Sequence, residues 1–182
     1  MMGAARPKVD EFLLGYVDDP LPGHESYKGM LAIPYIRPTF DGELLVATIR
    51  FRCLLDHEHE FHGKYNTMPG DRRRMYNTRA LVESNHVIGI TEGEMDTITL
   101  ELCGLPAVGI PGVQGWNDAF REPFLGYEKV YIFGDGDKPG REFATKMASE
   151  LRNGVIVPMP DGEDVNSFVL NNGVRELKGL IK

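Results

Sequence analysis

Glu92 closes an apolar run, Val87 to Thr91, and Asp135 and Asp137 sit in a Gly-Asp-Gly-Asp tetrapeptide that closes another, Val130 to Phe133. Carboxylates brought within a few ångströms of one another repel by roughly several kcal/mol at an effective dielectric of about 20, so such a group is stable only with bound cations or raised pKa values. Mg2+ is the natural occupant, because it takes oxygen ligands, keeps several waters and is held by one or two carboxylates together with substrate phosphates. Gly93, Gly134 and Gly136 fit this reading by leaving room for a phosphate to approach the backbone. Gly-Asp-Gly-Asp also reads as a plain turn with a helix cap. The recurrence of the theme, with Glu92-Gly93-Glu94-Met95-Asp96 after one strand and the tetrapeptide after the other, favours a site. Asp96 has two readings, metal support or a first-turn acid placed to suit the helix dipole.

For these groups to meet, the two apolar runs must be parallel strands of one sheet, whose C-terminal ends share the edge where such folds bind ligands. From His86 the pattern alternates accordingly. It predicts a strand over Val87 to Thr91, a helix from Glu94 to Cys103, a strand at Ala107 to Ile110, a short helix near Asp118 and a strand at Lys129 to Phe133. A helix with Pro139 in its first turn and Asn153-Gly154 at its end follows, then a strand at Val155 to Pro158 and a last helix from Asp164 to about Gly173. Met95, Ile98 and Leu102 are expected to form one packing face, and Phe143, Ala144, Met147, Ala148 and Leu151 another. Upstream, short strands at Gly29 to Ile36 and Glu43 to Cys53 are interrupted by Pro34, Pro38 and the turn pair Asp41-Gly42, with no long helix. The expected organisation is a small, mainly β (α+β) lobe over residues 1–81, then an α/β domain over residues 82–182 with a parallel sheet flanked by helices.

The chain has 182 residues, 42% hydrophobic and 26% charged, without low-complexity tracts, as suits an ordered fold. No apolar run approaches the ~20 residues of a membrane helix, and residues 1–9 lack the apolar core of a secretory signal. A cytoplasmic protein is expected. The net charge of −7 argues against a wholly nucleic-acid-binding surface, but the charge is uneven. Arg50, Arg52, Lys64, Arg72, Arg73, Arg74 and Arg79 crowd one stretch, whereas acids dominate from Glu92 onward. The triple arginine follows Pro69-Gly70-Asp71, so it reads either as a phosphate-binding group or as a solvated turn.

Cys53 and Cys103 form neither a disulfide framework nor a CxxC pair and are expected as buried free thiols. His57-Glu58-His59-Glu60-Phe61-His62 offers zinc-type ligands, but with no Cys partner nearby, alternating polar residues on an exposed strand explain it as well. Trp116 and Phe120 are expected in the core, with base stacking as the other reading.

The paired acidic strand ends resemble the signature of Toprim, the nucleotidyl-transfer and hydrolase domain shared by DnaG-type primases, topoisomerases and certain nucleases. Glu92 matches its glutamate, and Asp135 and Asp137 match its Asp-x-Asp. The resemblance extends to the catalytic core of bacterial and bacteriophage primases. Lys64-Tyr65-Asn66 is similar to that family's Lys-Tyr-Leu-Asn and precedes a similar tract ending in Tyr76-Asn77. Met159-Pro160-Asp161-Gly162-Glu163-Asp164 is similar to its Leu-Pro-Asp-Gly-x-Asp, and Phe12 to Tyr16, Ile33 to Arg37 and Leu44 to Arg52 resemble the lobe before Toprim. Where the family usually has Asp-Pro-Asp, this chain has Asp164-Val165-Asn166, so an outer ligand is weakened. The family's zinc-binding and helicase-associated domains are not recognised, as expected of an excised fragment or a minimal phage protein.

The resemblance implies a DNA primase catalytic core, a nucleotidyltransferase making short RNA primers from ribonucleoside triphosphates on a single-stranded DNA template, with a replicative helicase as partner. Glu92, Asp135 and Asp137 would be catalytic and would hold Mg2+ or Mn2+, supported by Asp96 and Asp164. Lys64, Tyr65, Asn66, Arg72, Arg73 and Arg74 would bind nucleotide or template. The alternatives are a Toprim nuclease using the same carboxylates, or a nucleic-acid-binding fragment with little activity alone. A topoisomerase would need a nucleophilic Tyr in a large separate domain, for which the chain has no room.

Overall fold

The computed structural model describes residues 10–59, 62–83, 86–111 and 115–181. The chain divides into two compact units, Met1–Arg72 and Arg73–Lys182. The division falls before the expected 81/82 boundary because the tract after Arg73 packs with the second unit. Met75 and Ala80 join its core, and Tyr76 pairs antiparallel with Gly109.

The first unit is a four-stranded antiparallel sheet in the order β1 (Gly15–Tyr16), β2 (Leu31–Pro38), β3 (Leu44–Arg52), β4 (Tyr65–Thr67). The β2–β3 turn closes where Thr39 N–H donates to Glu43 O at 2.7 Å, and it needs Gly42, whose φ is 87°. Pro34 does not interrupt the strand as expected. It pairs with Ile49 of β3, while β1 pairs with β2 only at Leu31 and Ala32, so the ladder never requires the missing N–H of Pro34. Tyr27, Met30 and Phe51 form the local core, with the Tyr27 and Phe51 rings stacked at 4.0 Å.

The second unit is a parallel sheet in the order β6 (Ala107–Gly109), β5 (Val87–Thr91), β7 (Lys129–Phe133), β8 (Gly154–Ile156). Its helices are α1 (Ala80–Glu83), α2 (Glu94–Leu102), α3 (Lys138–Glu150), α4 (Val165–Asn172) and α5 (Val174–Leu180). Alternation along β7 shows why the sheet needs cover on both faces. Val130 and Ile132 enter one core with Phe143, Met147 and Leu151 of the α3 segment, whereas Tyr131 and Phe133 enter the other with Leu100, Phe168 and Leu177. Each such fully buried side chain contributes about 1.5–3 kcal/mol.

Two helical expectations change. Leu102 is 42% exposed, because α2 packs between the sheet and α4 and buries Thr97, Ile98, Thr99 and Leu100 instead. Gly173 ends α4 with φ 87°, but the chain then turns into α5, which seats Leu177 in the second core. No helix among the described residues is long and apolar enough to cross a membrane.

Candidate active site

β5 and β7 are adjacent central strands, with Thr91 opposite Phe133, so Glu92 and Gly134 leave the sheet side by side. The Asp135 backbone N–H donates to Glu92 Oε1 at 3.3 Å, which fixes one carboxylate against the start of the other acidic loop. The remaining acids stand at helix N-termini, where partial positive charge favours anions. Asp137 caps α3, accepting from Gly140 N–H at 2.7 Å. Asp164 caps α4, accepting from Ser167 N–H at 2.6 Å, while its own N–H donates to Ser167 Oγ at 2.9 Å. Asp96, in the first turn of α2, is 8% exposed and accepts from Asn166 N–H at 3.0 Å.

Electrostatics shows the cost of this crowding. Burial, and then the Asp135 carboxylate, raises the Glu92 pKa to about 7, against the lowering effect of the Asp135 N–H. Burial and then Asp164 raise Asp96 to about 7, again opposed by a backbone hydrogen bond. Burial, Asp164 and Asp137, in that order, raise Asp135 to about 6. Carboxyls held this far above their usual range are under strain that a cation would relieve.

The donor set also suits a hard divalent cation. Glu92, Asp96, Asp137 and Asp164 each engage one carboxylate oxygen with a backbone N–H, which orients the group and leaves a second oxygen. The Asp135 carboxylate accepts no hydrogen bond from the described residues. An all-oxygen cluster of this kind matches Mg2+ or Mn2+ better than a softer metal.

Gly134 and Gly136 do a different job from the one expected. A Cβ on Gly136 would lie 1.8 Å from Pro160 O, and one on Gly134 would lie 2.1 Å from Gly140 O. Their missing side chains let protein backbone, not phosphate, approach. Gly136 N–H donates to Glu163 O at 2.7 Å and Gly162 N–H returns to Gly136 O at 2.9 Å, so the acidic loop is laced to the segment before α4. Arg141 Nη1 adds bonds to Gly136 O at 3.2 Å and Asp161 Oδ1 at 3.1 Å. On the other side, the Thr91 and Thr97 hydroxyls meet at 2.7 Å and both reach Gly93 O, which sets the turn carrying Glu92.

Asn166, the departure from the family pattern, holds the site by its backbone rather than by its amide. Its N–H orients Asp96, while its Oδ1 accepts from Thr99 Oγ1 at 3.2 Å. Sequence reasoning missed this tether because any residue supplies an N–H.

The expected basic residues are divided between the units. In the first, Lys64 is exposed just before β4 and Asn66 Nδ2 donates to Gly63 O at 2.8 Å. Tyr65 lies under the guanidinium groups of Arg50 and Arg52, 4.9 and 5.5 Å from its ring centroid. Arg72 and Arg73 are exposed on either side of the unit division, after a turn in which Asp71 N–H donates to Met68 O, and Arg74 is partly buried. Trp116 is a core residue, stacked on Phe124 and donating to Glu150 Oε2 at 2.5 Å, with Phe120 packed at its edge.

The described residues of the histidine run form no strand. His57, His59 and His62 lie in irregular chain, Glu60 and Phe61 fall outside the described residues, and Cys53, read above as remote, lies beside the three rings. The spacing Cys53-x3-His57 was the signal available. Both cysteines are buried and free, as expected.

A family described as Toprim-like matches residues 89–169. The Gene 57 protein of Mycobacterium phage D29 is 54% identical over 147 residues, which is 81% of this chain and 94% of that protein. The zinc-binding and RNA polymerase domains of the Aquifex aeolicus primase superpose with a TM-score of 0.75 at 21% identity, covering 96% of this chain but 51% of that one. This chain thus spans about half of that structure. The RNA polymerase domain of Mycobacterium tuberculosis primase DnaG, solved with a double-stranded DNA oligomer bearing a 6-nucleotide overhang, gives 0.73 at 20% identity, covering 98% and 72%. At these identities the likeness is one of fold, and the fold is that of a DnaG-type primase catalytic core with its Toprim domain.

Proposed function

The chain belongs to the family of the Gene 57 protein of Mycobacterium phage D29, and from that premise we propose that it is a DNA primase catalytic core, joining ribonucleotides on a single-stranded DNA template. The observation that carries the reading is the meeting of Glu92 and Asp135 at the ends of adjacent parallel strands, with the Asp137, Asp96 and Asp164 carboxylates coupled to them. The DnaG-type fold and the Toprim-like match support it.

Glu92, Asp135 and Asp137 would hold one or two Mg2+ or Mn2+ ions, with Asp96 and Asp164 in support. When bound, such ions activate a 3′-hydroxyl and neutralise triphosphate charge. The rest of the work belongs to the protein. The Asp135 N–H keeps Glu92 aimed at the cluster, the α3 and α4 caps hold Asp137 and Asp164, and the Gly136 to Glu163 bond keeps the acidic loop against the α4 segment. Lys64, Tyr65 and Asn66 in the first unit, and the Arg72 to Arg74 run, would bind template or nucleotide phosphates. Arg50 and Arg52 stiffen Tyr65 from above, leaving an aromatic and basic strand surface of the kind that holds single strands. A replicative helicase is the expected partner.

The same carboxylates would serve a nuclease. The basic surface around Tyr65 supports polymerisation, and the deciding experiment follows labelled ribonucleotide incorporation and template cleavage together.

A further inference from the structure

Outside the acidic centre, the first unit holds a second concentration of ligand atoms. Cys53, His57, His59 and His62 each bring one donor atom within 4.8 Å of all the others. We infer that these residues form a tetrahedral, single-ion Zn2+ site that clamps the β3–β4 connection. The donor set, one thiolate and three imidazoles, suits Zn2+ and is foreign to the hard cations that carboxylates select.

Zn–S and Zn–N bonds of about 2.3 and 2.0–2.1 Å imply donor separations of roughly 3.3–3.7 Å around a tetrahedron. Cys53 Sγ and His57 Nε2 already lie 3.4 Å apart. The three rings face one another with centroids 4.7, 5.1 and 5.2 Å apart, so small rotations suffice to aim their nitrogens at one point.

Two of the rings are prepared for a ligand. His62 Nδ1 lies 3.1 Å from Gly63 O; only a protonated nitrogen can bond there, so this contact leaves Nε2 with its lone pair outward, the arrangement usual for ligating histidines. His59 Nδ1 is buried and has no hydrogen-bond partner among the described residues. A buried imidazole nitrogen left unpaired is costly, and a metal bond satisfies it.

The placement gives the ion a structural task. Cys53 directly follows β3, its N–H donates to Lys64 O at 2.9 Å, and β4 begins at Tyr65. Ion binding would close the connection at its base and fix Lys64 and the strand that carries Tyr65 and Asn66. The spacings Cys53-x3-His57, His57-x-His59 and His59-x2-His62 put all four ligands on one short loop, so the site needs nothing from the second unit.

The test uses the full chain without an affinity tag, purified from zinc-supplemented cells and passed over a chelating resin, with metal measured by mass spectrometry. About one zinc per chain is expected, falling at least about tenfold in Cys53→Ser and in His59→Ala. Because either variant could lose its fold, the native chain is also loaded with Co2+. Intense tetrahedral visible bands, together with a thiolate-to-cobalt charge-transfer band that persists in Cys103→Ser, are expected. Less than about 0.2 zinc per native chain overturns the assignment. So do zinc retained without a thiolate band and cobalt bands that are weak and octahedral, since those would mean adventitious imidazole binding.

Discussion

The Asp135 backbone N–H donates to Glu92 Oε1 at 3.3 Å, so the two acidic loops of the sheet edge are joined by a bond that needs the Glu92 side chain but not its charge. Glu92→Gln keeps an acceptor and removes a carboxylate whose pKa is raised to about 7. In metal-free buffer at pH 8 the variant should melt at a higher temperature than the native chain. Its ribonucleotide incorporation should fall by at least the ~100-fold that marks the upper end for outer-shell losses at metal centres. Scanning fluorimetry and the incorporation assay check the two halves, and a lower melting temperature would count against electrostatic crowding.

Metal stabilisation should depend on pH. Glu92 and Asp96 rise from 4.5 and 3.8 to about 7, and Asp135 from 3.8 to about 6, so between these limits the folded chain binds more protons than the unfolded one. Stability without metal therefore falls as pH rises through that window, and the repulsion is fully present above it. Mg2+ should raise the melting temperature more at pH 8 than at pH 5.5. An increment equal at both pH values would contradict the arrangement.

Asn166→Ala should do little at the site. It removes the bond to Thr99 at 3.2 Å but keeps the N–H that orients Asp96, so a stability loss of about 1 kcal/mol with incorporation changed only a few-fold is expected. Asp96→Asn, by contrast, should lower incorporation about 10–100-fold. Urea titration and steady-state incorporation on the pair would separate an ordering residue from a supporting ligand.

Gly136→Ala places a Cβ 1.8 Å from Pro160 O and should destabilise by at least about 3 kcal/mol. Gly126→Ala, which meets nothing within 4 Å among the described residues, should stay within about 0.5 kcal/mol. Equal urea midpoints for the two would show that the acidic loop is not laced to the α4 segment.

Lys64→Ala and Arg73→Ala should each weaken single-stranded DNA binding and reduce the magnitude of the salt slope by about 0.7 if the residue neutralises one phosphate. Fluorescence anisotropy across a salt series measures both. A weaker complex with an unchanged slope would assign the residue to folding instead.

The convergence of Glu92 with Asp135 and Asp137 was legible in the sequence because each acid directly follows an apolar strand of a parallel sheet, where geometry sets the edge. The α3 stripe was legible for the same reason, since one face of that helix meets one core. α2 was misread because it buries flank as well as face, hiding threonines whose hydroxyls bond backbone carbonyls and each other. The role of Gly134 and Gly136 could not be read, because a missing side chain does not say what fills the space. The cluster around Cys53 was not legible because the histidine run reads equally as the polar face of an exposed strand, and only the fold brings one thiol onto three imidazoles.

The most direct test of the central claim is labelled ribonucleotide incorporation on single-stranded DNA with Mg2+ or Mn2+, for the native chain and for Asp135→Ala shown by circular dichroism to be folded, with template cleavage followed in the same tubes. The carboxylate arrangement predicts metal-dependent oligoribonucleotides from the native chain and none from the variant. Cleavage without synthesis, or synthesis undiminished in Asp135→Ala, would contradict it.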